Sequence, residues 1–279
     1  MSKFIYLSDL LLQDIVGGGE LSDHELCHQI ELLGHDVDKI RCKDFKLTNI
    51  STDSFYIISN FVSLDPHVLN VLQNNCNYII YEHDHKYIKS RNPALYINYE
   101  APEYEKINLE FYKKAKMVFC QSSFHKNIIS TNIDIDNLFN VSGNLWSDDS
   151  LEIMRILSKK EKNDCYSILD SRIGHKNTRE AVYYCEAKKL PYRLVASPDY
   201  QEFLSLLSDN DKFIFLPKTP ETLSRVVVEA RMMNIKTVTN KRVGASHETW
   251  FNLKGEELID LMYEKKNKIT KKVLEIFHD

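Results

Sequence analysis

The chain has 279 residues, 43% of them hydrophobic and 27% charged, the balance of a soluble globular protein long enough for two domains of ordinary size. A formal net charge of -4 excludes a global basic field for holding a polyanion, so nucleic-acid binding would need a local patch. No stretch approaches the roughly 20 apolar residues of a membrane span, and the opening MSKFIYLSDLL lacks a basic segment followed by a long apolar one, so a transmembrane segment is not expected and the expected location is the cytoplasm.

Strand-length apolar runs alternate with helix-period segments along the chain. Residues 3–9, 38–42, 54–60, 77–84, 117–122 and 138–143 read as buried parallel strands, with helical candidates between them. The first of these is the segment with Leu21, Leu26, Ile30 and Leu33 at helical spacing. The seam is expected at 143–148, where Gly143, Asn144, Ser147 and Asp148 break the periodicity. A second αβ unit follows, with strands at 165–171, 192–197, 212–217 and 236–240 and helices at about 176–190, 199–208 and 223–233. A long polar helix, GEELIDLMYEKKNKITKKVLEIF, closes the chain, and its run YEKKNKITKK reads as an exposed face. This alternation predicts two α/β domains with parallel sheets covered on both faces. Ligands of such sheets bind beyond the carboxyl ends of the strands, so the loops there carry the functional expectation.

Six cysteines, at positions 27, 42, 76, 120, 165 and 185, form neither a CxxC pair nor a Cys/His ligand spacing and read as reduced thiols. Gly17, Gly18 and Gly19 fall in the first strand-to-helix loop, where glycines allow close backbone approach to a ligand or serve as a flexible link. YIIYEHDHKYIKSRNP ends a strand with His83, Asp84 and His85, which read as polar turn residues or as part of a metal site lacking a distant fourth ligand. Lys86, Lys89 and Arg91, interleaved with Tyr87, form the one compact basic-aromatic patch, facing either solvent or an anionic acceptor. DSRIGHKNTREA supplies Arg172 and Lys176 after another strand, either as a basic loop or as cations for a phosphate group. Trp146 and Trp250 read as packing residues.

PETLSRVVVEARMM carries two acids, Glu221 and Glu229, around the start of a helix near Leu223 or Ser224. A helix N-terminus attracts anions, so one carboxylate would stand beside a phosphate-attracting turn and the other farther along, able to accept hydrogen bonds from a diol. The plainer alternative is that Glu221 favours the helix dipole and Glu229 pairs with Arg225 or Arg231 at the surface.

The run DKFIFLPKTPETLSRVVVEARMMNIKTVTNKRVGASHE resembles the signature of the family 4 retaining glycosyltransferases: an E-x7-E motif entering a helix, a strand, then a VGG-PE-like loop, here VGASHE with Gly244 and Glu248. Residues 165–250 carry the resemblance strongly and 1–145 more loosely; ETLSR stands where a glycine-rich EGFG is usual. The resemblance implies a GT-B-like fold, two Rossmann-like doubly wound domains facing across a cleft. Residues 1–145 would form the acceptor-side domain and 146–279 the nucleotide-sugar domain, with the last helix crossing back onto the first. It further implies that Glu221 holds the donor sugar, Glu229 the ribose hydroxyls, and the amides of Leu223 and Ser224 the diphosphate. Arg172 and Lys176 would stabilise charge on that diphosphate, Gly18 and Gly19 would approach the donor phosphate and sugar, and His83 would line the sugar and acceptor pocket. The implied reaction moves a hexose or pentose from a nucleoside diphosphate sugar to an acceptor hydroxyl with retention, without a metal or other cofactor. The acceptor would be a glycan or lipid-linked group, or, for a phage-type enzyme in host cytoplasm, a hydroxylated base in DNA. A non-catalytic sugar-nucleotide-binding module and a nucleotide-sugar epimerase stand as alternatives.

Overall fold

Residues 3–278 are described by a computed structural model. The first unit runs β1 (Phe4–Ser8), α1 (Gly18–Leu32), β2 (Val37–Arg41), β3 (Phe55–Ile58), α2 (Pro66–Asn75), β4 (Asn77–Tyr81), α3 (Leu109–Lys114), β5 (Met117–Cys120), α4 (Ser123–Asn132) and β6 (Leu138–Asn140). The second runs α5 (Asp148–Ser158), β7 (Asn163–Leu169), α6 (Thr178–Ala187), β8 (Tyr192–Val195), α7 (Tyr200–Leu207), β9 (Asn210–Phe215), α8 (Arg225–Met232), β10 (Lys236–Thr239) and α9 (Gly255–His278). Each strand overlaps its sequence expectation, and the central strands β1, β3 and β4, largely buried on both faces, read as apolar runs.

Two parallel sheets result, ordered β2-β1-β3-β4-β5-β6 and β10-β9-β7-β8. The order reverses between β1 and β3 in the first and between β7 and β9 in the second. At such reversals the loops diverge and leave a crevice for a ligand. The glycine loop follows β1, the Arg172–Lys176 loop follows β7, and the Glu221–Ser224 loop follows β9.

One face of the first sheet packs Ile5, Tyr56, Ile80 and Val118 against Phe61, Leu72 and Phe111. On the other face Phe4, Ile57 and Phe119 meet Leu26 and Ile30 of α1 together with Ile269, Val273 and Ile276 of α9. The last helix is therefore a wall of the first core, and it also contacts α5 and α8. Lys266, expected on an exposed face, is 1% exposed and bonds Asp148 at 2.6 Å and Glu25 of α1 at 3.3 Å. Its burial corrects the reading of YEKKNKITKK, since the helix turns this lysine between two acids instead of toward water.

A second join brackets the start of α4. Glu248 accepts hydrogen bonds from the Ser123 backbone N–H and the Ser142 hydroxyl, and Trp250 Nε1 donates to the Ser142 carbonyl at 2.9 Å. The His247 ring stacks on Phe124 at 4.4 Å. Gly244 makes this approach feasible: a Cβ there would lie 2.2 Å from the Thr222 carbonyl oxygen and 2.6 Å from Ser122 Oγ.

Candidate active site

Between the facing loop edges lies a cleft of about 450 Å³. Gly18, Gly19, His83, Lys176, Glu221, Ser224 and Glu229 line it, drawn from separate loops and helices of the two units. Arg172 does not line it. That side chain is exposed at the rim, two residues from Asp170 and one from Ile173, both of which do. The Leu223 side chain is fully buried in the second core, so only its backbone is left to serve a ligand.

Two helices begin at this cleft, α1 after Gly17 and α8 after Ser224, and neither has a side-chain cap. Among the other helices α2, α4, α5 and α7 are capped by Asp65, Ser122, Ser147 and Asp199, while α3 and α6 also lack a side-chain cap. Uncapped N–H groups and the positive helix end favour an anion, and at α1 the Glu20 carboxylate already lies against that end, 2.3 Å from where a Cβ on Gly17 would sit. The helix begins at Arg225, and Ser224 takes the left-handed region at φ 72°, ψ 81°. The conformation that the glycine-rich version of this turn would favour is thus imposed on a serine, whose buried hydroxyl has no partner among the described residues.

Lys176 Nζ lies 2.9 Å from each carboxylate oxygen of Glu221. The β7 and β9 loops are tied to each other: Lys218 N–H donates to the His175 carbonyl at 2.9 Å, and Asn177 Nδ2 to the Leu216 carbonyl at 2.8 Å. Glu221 N–H in turn donates to the Arg242 carbonyl at 2.8 Å. These three adjoining loops carry Arg172, Lys218, Lys241 and Arg242, all exposed and none in a salt bridge among the described residues.

Glu229 is 2% exposed and is no surface acid. It does pair with Arg225, Nε to Oε1 at 2.8 Å, but inside the protein, where the same oxygen accepts from Trp146 Nε1 at 3.0 Å and Tyr200 OH at 2.6 Å. Burial, then the neighbouring Glu229 charge, pushes the Tyr200 phenol far above its ordinary range, so it remains a donor. Trp146 and Tyr200 escape a sequence reading because they stand 83 and 29 residues from Glu229.

On the opposite wall His83 is gripped from both ring nitrogens. Nε2 lies 2.6 Å from Asp23 Oδ1, and Nδ1 meets the Gln121 amide. Asp23 is itself fixed by Tyr6 OH and Ser59 Oγ, each at 2.6 Å. A Cβ on Gly19 would sit 3.6 Å from the His83 ring, which places the glycine turn against the imidazole. His85 points elsewhere, 2% exposed with Nδ1 2.8 Å from Tyr87 OH. No group of three metal-ligating residues forms among the described residues.

Only part of the KYIKSR stretch is surface: Lys89 and Arg91 are exposed, whereas Lys86 and Tyr87 turn inward. Lys86 is 2% exposed and bonds the buried Glu82, Tyr87 is fully buried, and Arg91 pairs with Asp84 at 3.2 Å. The buried carboxylate of Glu82 draws the lysine inward, since an unpaired charge there would be costly. Further exposed cations lie on the loops around Glu221.

No family model matches the chain, and no curated protein matches it. Among solved structures it is similar to sucrose-phosphate synthase from Thermosynechococcus elongatus, with a TM-score of 0.66 at 9% identity over 99% of both chains. It is similar also to the catalytic domain of starch synthase IV from Arabidopsis thaliana bound to ADP and acarbose, with a TM-score of 0.61 at 9% identity over 97% of this chain and 92% of that one. A third likeness is to an alpha-glucosyltransferase in complex with UDP and a 13-mer DNA containing a HMU base, with a TM-score of 0.50 at 13% identity over 96% of this chain and 90% of that one. With the two facing parallel sheets, these likenesses show a GT-B fold. No helix among the described residues is long and apolar enough to cross a membrane.

Proposed function

We propose that the chain is a retaining glycosyltransferase that moves a sugar from a nucleoside diphosphate sugar to an acceptor hydroxyl, working in the cytoplasm. The observation that carries this reading is the convergence of two uncapped helix starts, Lys176 and two carboxylates on one cleft. The donor diphosphate lies between the Gly18–Gly19 turn and the α8 start with Leu223 and Ser224, and Glu229 accepts from the ribose hydroxyls. Glu221 accepts from the donor sugar while orienting Lys176 toward the leaving phosphate, with Arg172 joining from the rim. As the bond from the sugar C1 to the phosphate oxygen breaks, negative charge grows on the diphosphate. Preorganised cations and N–H donors stabilise that charge most where water is excluded. The acceptor oxygen bonds C1 on the face the phosphate leaves, and its proton passes to the departing phosphate oxygen. In this scheme Lys176 and the helix starts meet the charge, so no metal is called for, and His83, held by Asp23 and Gln121, shapes the sugar and acceptor side.

The basic rim favours a specific second reading of the acceptor, namely an anionic one such as a hydroxylated base in DNA. Incubation with UDP-, GDP- and ADP-sugars, alone and with hydroxymethylated DNA or simple glycans, tests both. Slow donor hydrolysis and transfer with retained anomeric configuration is the expected result. Binding with neither hydrolysis nor transfer would identify a non-catalytic module, and an altered donor sugar without acceptor would identify an epimerase.

A further inference from the structure

We propose that Arg225 is a positioning residue for the donor, one that commits a single oxygen of Glu229 to the ligand. The proposal rests on the donor-site reading above. Glu229 Oε1 is saturated by three donors, from Arg225, Trp146 and Tyr200, while Oε2 has no partner among the described residues of a side chain that lines the cleft. A carboxylate offers about four lone-pair sites on two oxygens, so three donors on one oxygen fix the plane of the group and leave the other to a ligand.

Arg225 is itself immobile. Its NH1 donates to the Leu145 carbonyl at 2.6 Å and to Asn144 Oδ1 at 3.3 Å, and its guanidinium lies 4.5 Å over the Trp146 ring. The stem packs against the glycine turn, where a Cβ on Gly18 would be 3.5 Å from Arg225 Cβ and Cδ. Burial works against the charge of Arg225, but Tyr200 and Glu229 outweigh it and keep the group protonated. Two neutral donors alone would leave Glu229 a nearly buried carboxylate without a counter-ion, which favours protonation or rotation toward another partner. Either change removes a fixed, charged acceptor from the place where a vicinal diol would bind. Arg225 thereby sets the preference of the cleft for ribose over a sugar lacking those hydroxyls.

Calorimetric titration of UDP, ADP and GDP and their 2′,3′-dideoxy counterparts tests this on wild type, Arg225→Met and Arg225→Lys, with thermal unfolding as the check on folding. Wild type should prefer the ribose form by about tenfold or more, as expected for a hydrogen bond to a charged acceptor. The preference should collapse in Arg225→Met. Arg225→Lys, which keeps the charge but cannot span Glu229 and Leu145 together, should fall between the two and carries the comparison if the methionine variant does not fold. A purely structural role would lower the unfolding midpoint and leave the ribose preference intact, and an unchanged preference in a folded variant overturns the proposal. Failure of wild type to bind any of the three nucleotides would instead sink the donor-site reading on which it rests.

Discussion

Lys176 and Glu221 hold each other, with Nζ 2.9 Å from both carboxylate oxygens across 45 residues of sequence. The pair is 27% and 12% exposed at its two side chains, so it is partly shielded from solvent at the cleft wall. One residue therefore serves the other even before a ligand arrives. Lys176→Ala should lower kcat by about 10²–10³, the scale for removing one preorganised charge stabiliser. Donor-hydrolysis kinetics check it, and full turnover in this variant would refute a role on the diphosphate.

Ser224 adopts a conformation that suits glycine, and its hydroxyl is buried without a partner among the described residues. Ser224→Gly should relieve both costs and stabilise the protein by about 1 kcal/mol, net of the greater freedom glycine gives the unfolded chain. Thermal unfolding should register an upward shift of about 2–4 °C.

Gly244→Ala should do the reverse. Its Cβ has no space between the Thr222 carbonyl and Ser122 Oγ, so the join between the units must open. A loss of about 1–3 kcal/mol is expected, on the scale of overpacking. The unfolding midpoint reads it, and wild-type stability would show that the loops can part without cost.

His85 should make the fold acid-sensitive. Burial, reinforced by the Lys86 charge, lowers its pKa to about 3, whereas an unfolded histidine titrates near about 6.5. Between those values the unfolded chain binds a proton that the folded one refuses. Stability from this group is complete above about pH 6.5 and declines as the pH falls toward 3. His125, lowered by burial and by His85, acts in the same direction. Unfolding midpoints taken from pH 7 to 5, above the range where most carboxylates titrate, should fall, and His85→Gln should flatten the slope.

The rim of Arg172, Lys218, Lys241 and Arg242 makes a salt test of the acceptor decisive. If it holds a phosphodiester chain, DNA affinity should fall steeply with salt, and Lys218→Glu/Lys241→Glu/Arg242→Glu should weaken binding and flatten the salt slope by about 0.9 for each phosphate no longer neutralised. Fluorescence anisotropy with hydroxymethylated duplexes measures both. A triple variant with unaltered affinity would rule the rim out as the acceptor surface.

Local patterning made the ten strands and the loop positions of Glu221 and Lys176 readable, since buried parallel strands and the turns after them depend on near neighbours, whereas Gly18 and Gly19, expected in a loop, form the first turn of α1. Partners set by the fold were out of reach. Lys86 and Lys266 look like solvent-facing lysines in sequence, yet each is drawn inward by acids: Glu82 for one, Glu25 and Asp148 for the other. Arg225 and Glu229 stand four apart on a helix and read as a surface pair, because nothing local announces that Trp146 and Tyr200 will enclose them. The rim cations come from three loops that are neighbours only after β7, β9 and β10 have paired.

Ile269, Val273 and Ile276 complete a core whose other members lie mostly within the first 145 residues. During synthesis the leading unit thus emerges before this wall, and its apolar face must wait until α9 has also left the ribosome. A truncation before α9 would leave that face open to aggregation instead of yielding a smaller stable protein, and the docking of α9 becomes the step that commits both halves to one native state.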